Sequence, residues 1–112
     1  MTADPTLRAY PENGPVRDDP SEDLLFQLLQ DIEAGQGTFL IVNKTIDPSG
    51  QTYAQALRCE DGSYVVEHRE GNAEKHYGTV VPDLRSAHAL LVGWAFERPD
   101  WDNGSSWSPV VV

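Results

Sequence analysis

Between residues 38 and 81 the chain alternates strand-like runs with short turn signals, and no gap is long enough for a crossover. Parallel neighbours need a connection of about a dozen residues or more, so runs this close together read as an antiparallel meander. Thr38 to Asn43 is the first run, with continuous rather than alternating apolar residues, the mark of a buried strand. Asp47-Pro48-Ser49-Gly50 is a turn by composition. In Gln51 to Cys59, Tyr53, Leu57 and Cys59 share one parity and Ala54, Ala56 and Arg58 the other. Asp61-Gly62 is a strong hairpin signal leading into Ser63 to Arg69. Glu70-Gly71-Asn72 turns again, and Lys75 to Val81 is the fourth strand.

A helix is expected on either side of the meander. Asp19 is placed to cap the first, with Pro20 at its first position and Glu22 reaching back to the cap. Leu24, Leu25, Leu28, Leu29 and Ile32 follow at helical spacing, and Gly35 ends the element, giving a helix over about 20 to 34. The second starts near Asp83, carries Leu84, Ala87, His88, Leu91, Trp94 and Ala95 on one face, and stops before Pro99. The predicted fold is α+β, a single four- to five-stranded antiparallel sheet with two helices in the order α-β-β-β-β-α. Leu25, Leu28, Leu29, Ile41, Val66, Leu91 and Trp94 are its expected core.

Residues 1–18, with Pro5, Pro11, Pro15 and Asn13-Gly14, read as a flexible or irregular N-terminal segment, ordered only where Leu7 and Tyr10 dock. Residues 19–112 form the single domain, and 112 residues suit one domain with a core of its own. The stretch Asp100 to Val112 holds Trp101 and Trp107 and is expected to fold back, since each indole buries roughly 200 Å².

Charge narrows the function. Against 18 acids stand 8 lysines and arginines, a net charge of −10, with −6 of it in residues 1–34. That balance excludes a nucleic-acid or anionic-membrane surface and suits a basic protein partner. The lone Cys59, the polar N-terminus and the lack of a long apolar run point to the cytoplasm. Cys59, His68, His76 and His88 lack metal-ligand spacing, although His68 and His76 on neighbouring strands could converge. Glu67 and His68 point to opposite faces of a strand, Cys59 lies beside Glu60 and Asp61, and no phosphate-loop pattern occurs. These features imply no enzyme, no metal and no cofactor.

Gly62-Ser63-Tyr64-Val65-Val66-Glu67-His68-Arg69-Glu70-Gly71 looks like a recurrent G-x-Y-x-V-E-Y-R-x-G strand and turn. His76-Tyr77-Gly78-Thr79, Trp94-Ala95, Arg98-Pro99-Asp100-Trp101 and Trp107 follow it in order. Over about residues 22 to 110 this series resembles the Imm1-like immunity protein family of bacterial polymorphic toxin systems, common in actinobacteria. His68 departs from it where a tyrosine is expected, as does the Pro-rich N-terminal extension. The resemblance implies a non-catalytic protein that binds and neutralises a cognate basic toxin domain, often a nucleic-acid deaminase. The partner-binding candidates are Trp101 and Trp107 as anchors, Asp100 and Asp102 as steering charges, and Glu67 and Glu70 as second choices. The alternative is a small ligand-binding or secretion-accessory domain.

Overall fold

The hairpin at Asp61-Gly62 forms as its composition requires. Gly62 takes a φ of +90°, and the Asp61 carboxylate accepts hydrogen bonds from the Ser63 amide and hydroxyl at 2.9 and 2.6 Å. In the computed structural model, which describes residues 4–110, this turn joins β4 (Thr52–Arg58) to β5 (Tyr64–Glu70). β3 (Phe39–Lys44) pairs with β4, and β6 (His76–Val81) with β5, all antiparallel, so the predicted meander is present. One 3₁₀ turn, Ala73–Lys75, separates β5 from β6.

The sheet is larger than expected. Seven strands lie in the order β2-β1-β3-β4-β5-β6-β7, with β1 (Leu7–Pro11), β2 (Arg17–Asp18) and β7 (Ser108–Pro109) added to the meander. The element order is therefore β-β-α-β-β-β-β-α-β, and the first helix does not lead the fold. Residues 7–11 are not a loose lead-in: β1 pairs with β3 along its whole length, and Leu7 and Ala9 are buried. Composition concealed this because a five-residue strand with two prolines nearby owes its place to tertiary pairing rather than to propensity.

Helix α1 (Glu22–Glu33) begins two residues later than predicted. Ser21, not Asp19, is its cap and accepts from the Leu24 amide at 3.1 Å. Asp19 instead takes a left-handed φ of +47°, and its Oδ1 accepts from the Thr6 and Leu7 amides at 2.8 and 3.1 Å, tying β1 to the helix entry. At the far end Gly35 donates to Ile32 and Gln36 to Asp31, the paired bonds of a glycine-terminated helix. Helix α2 (Leu84–Ala95) starts where expected, with the Asp83 carboxylate accepting from the Ser86 amide at 2.9 Å.

The strand register sorts the sheet into two faces. Leu7, Ala9, Leu40, Val42, Ala54, Ala56, Tyr64, Val66, His68, Thr79 and Val81 lie on one face and are buried. α1 packs on β3, and α2 on β3, β4 and β5, over that face. Alanines at 54 and 56 let α2 approach the middle of the sheet. Six of the seven expected core residues are buried: Leu25, Leu28, Leu29, Val66, Leu91 and Trp94. Ile41 is not. β3 alternates, with Leu40 and Val42 inward and Phe39 and Ile41 half-buried on the opposite face, because helices cover one side only. Among the described residues no helix is long and apolar enough to cross a membrane.

Candidate functional site

The chain leaves α2 through Glu97 and Asp100, both in the left-handed region at φ +52° and +60°, and doubles back over the helix-covered side. Trp101 lands on Gly93, where a Cβ would stand 2.4 Å from the Trp101 Cβ, so the glycine is what admits the indole. Trp101 and Trp107 meet edge to face with centroids 5.5 Å apart, and both meet the His68 ring, at 5.2 and 4.8 Å. The predicted fold-back is present, and both indoles are half-buried against the core.

Glu70 completes this cluster. One of its oxygens, Oε1, lies 2.8 Å from His68 Nδ1 and accepts from Trp94 Nε1 at 2.9 Å. The Lys44 ammonium sits 4.3 Å over the Trp94 ring. Burial works to raise the Glu70 pKa, but the His68 and Trp94 hydrogen bonds and the Lys44 charge outweigh it and hold the carboxyl below its ordinary value. Asp100 and Asp102 are exposed on the turn above, where Asp100 accepts from Asn103 at 3.2 Å. Thus Trp101, Trp107 and Glu70 come together around His68, with Asp100 and Asp102 at the rim. Glu67 does not join them. It lies on the opposite face of β5, three residues from Glu70 and therefore of the other parity.

That opposite face is the uncovered one, and cross-strand pairing arranges it in three rows. The first, Phe39, Leu57, Val65 and Val80, is wholly apolar, and Val80 is 65% exposed. The second runs Tyr10, Ile41, Gln55, Glu67, Gly78 and Ser108. The third runs Arg8, Asn43, Tyr53, Arg69 and His76.

A hydrogen-bonded chain links the last two rows. Arg69 donates to Gln51 Oε1 at 2.6 Å and, through Nε, to His76 Nδ1 at 3.0 Å. An arginine N–H can only donate, so His76 Nδ1 is an acceptor and the ring proton sits on Nε2. That nitrogen lies 2.7 Å from Glu67 Oε1, to which it donates. His76 is 4% exposed, screened by Tyr53 at 5.9 Å between ring centroids. The sequence marked Glu67 as a candidate contact and His76 only as a possible metal ligand beside His68, and gave Arg69 no role; that the three meet depends on the β5–β6 register. His68 and His76 do not converge: they lie on opposite faces of the sheet. Among the described residues no group of three His, Cys, Asp or Glu side chains could hold a metal.

Much of the acidity is committed to the fold. The carboxylates of Glu12, Asp19, Asp47, Asp61 and Asp83 each accept from backbone amides in loops or caps. Hydroxyl hydrogen bonds from Thr38, Ser49 and Ser63, seconded by backbone amides, hold the Glu12, Asp47 and Asp61 pKa values below the ordinary ones, and backbone amides first of all do so for Asp19 and Asp83. Glu33 binds Arg58 and the Tyr64 hydroxyl, each at 2.9 Å.

No protein-family model, curated protein or solved structure matches this chain. The resemblance to the Imm1-like family rests on the motifs quoted above.

Proposed function

We propose that the protein is a non-catalytic inhibitor that docks on a basic toxin domain through the open face of its sheet. The observation that carries this reading is the apolar row Phe39–Leu57–Val65–Val80 on a face that neither helix covers. An antiparallel sheet with one solvated face normally presents polar residues there, and an extended apolar patch marks a binding surface. The histidine–carboxylate pair on this face supports binding over catalysis. His76 Nδ1 is filled by Arg69 and its Nε2 proton is held by Glu67, so the ring has no free base position. A net charge of −10 favours a basic partner and speeds its encounter.

This reading ranks the open face above the Trp101 and Trp107 surface, where the indoles already serve the protein's own packing. The toxin reading itself comes from the family resemblance. Co-expression with the product of the neighbouring gene tests it. The wild-type chain should protect cells, Val80→Lys and Leu57→Asp should abolish protection, and the pair Asp100→Lys and Asp102→Lys should only slow association in a salt-dependent way. If no neighbouring product is toxic, or protection is absent, the inhibitor reading fails. If only the Asp100 and Asp102 changes abolish protection, the docking face is the other one.

A further inference from the structure

Glu67 is poised but not neutralised. It borders a cleft of about 340 Å³ on the open face, between β5, β6 and β7, rimmed by Val65, Val80, Pro109 and Val110. Gly78 forms the floor: a Cβ there would come within 3.0 Å of Val110 Cγ2 and 3.3 Å of Glu67 Cγ. The carboxylate offers about four lone-pair sites. It receives one hydrogen bond, from His76, which also fixes its orientation. Arg69, the nearest base along the strand, is turned to Gln51 and to the far nitrogen of the imidazole. Among the described residues no lysine or arginine pairs with Glu67, whose side chain is 22% exposed.

We infer that this cleft is a receptor for an arginine side chain of the basic partner, with Glu67 as the counter-ion. The inference rests on the binding function proposed above and names the chemistry of its central contact. A partly buried carboxylate with one fixed donor and unfilled lone pairs suits a planar guanidinium, which bonds a carboxylate with two parallel N–H groups. The apolar rim favours arginine over lysine, because the guanidinium is weakly hydrated and its stem can lie along valine and proline. Ser108, the register partner of Gly78 on β7, lines the same cleft. A preoriented carboxylate loses little freedom on binding, which is where such a contact gains affinity.

The test needs no partner. The full chain is titrated with N-acetyl-arginine methylamide and, separately, with the lysine analogue, and backbone amide shifts are followed by NMR. Saturable shifts at Gly78 and Ser108 are expected with the arginine probe, with weaker ones for lysine. Glu67→Gln, which keeps an acceptor for His76, should weaken the arginine effect at least about tenfold, since a charge-assisted bidentate pair is lost. Ser108→Arg should abolish it by placing a guanidinium in the cleft, and a melting curve checks that each variant folds. Equal arginine shifts in Glu67→Gln, equal response to lysine, or shifts spread over Asp23, Glu60 and Glu74 without preference for the cleft would overturn the inference. The co-expression assay is independent: protection that survives Glu67→Gln removes the arginine receptor and leaves the inhibitor reading standing.

Discussion

Gly93 shows how one missing side chain positions a whole segment. It lies within α2, where glycine costs about 0.5–1 kcal/mol relative to alanine, yet an alanine Cβ would meet the Trp101 Cβ at 2.4 Å. That neighbour is fixed by its own backbone and cannot swing aside. Overpacking of this kind costs roughly 1–3 kcal/mol, which outweighs the gain in helix propensity. Gly93→Ala should therefore lower stability, and chemical denaturation followed by Trp fluorescence checks it; an unchanged or raised midpoint would mean the Trp101 contact is not held. Ser21 and Asp19 make the complementary case. Two capping residues stand two positions apart, and backbone geometry decides between them: Ser21 is extended at φ −76°, whereas Asp19 is left-handed and bonded back to Thr6 and Leu7. Ser21→Ala should cost about 1 kcal/mol of stability.

Among the elements, those with a period were legible and those without one were not. α1 declared itself by Leu25, Leu28, Leu29 and Ile32, all buried, and Leu28→Ala should cost roughly 2–5 kcal/mol in a denaturant titration. Ile41→Ala should cost much less, because that side chain faces the uncovered side; equal losses would mean the open face is packed after all. A continuous run such as Phe39 to Val42 cannot reveal which of its two faces is covered, which is why Ile41 was expected in the core. β2 and β7 have two residues each, too few for any periodicity to exist. The candidate site divides the same way. Glu67 stood out as a charge on a strand, but its partner His76 is set by the turn at Ala73–Lys75 and the Arg69–His76 pairing, neither of which is encoded in local composition.

For the molecule as a whole, stability should fall in two stages on acidification. Burial holds the His88 pKa below its ordinary 6.5, with Arg85 adding to the effect and Asp23 opposing it; Nε2 lies 2.9 Å from the Glu22 carbonyl, to which it donates. The unfolded chain therefore binds the proton first, and the His88 contribution, complete above pH 6.5, is lost as pH drops through the lower folded value. The carboxylates of Asp19, Asp47, Asp61, Asp83, Glu12 and Glu70 act next. Their contribution is complete above the ordinary values of 3.8 for Asp and 4.5 for Glu, and is lost below them. Melting temperatures against pH should show both stages, and His88→Gln should erase only the upper one. The sheet ends in two-residue strands on both sides, Arg17–Asp18 carrying charge and Ser108–Pro109 ending in a residue with no amide hydrogen. These end strands cover only Arg8 and Ala9 of β1 and Tyr77 and Gly78 of β6, and are themselves too short to offer a long ladder. A partner docked as proposed above would read side chains of the open face, and exposed ones such as Val80 can be exchanged without disturbing the core beneath. On the binding function proposed above, recognition could then drift along the exposed apolar row while the fold stays put.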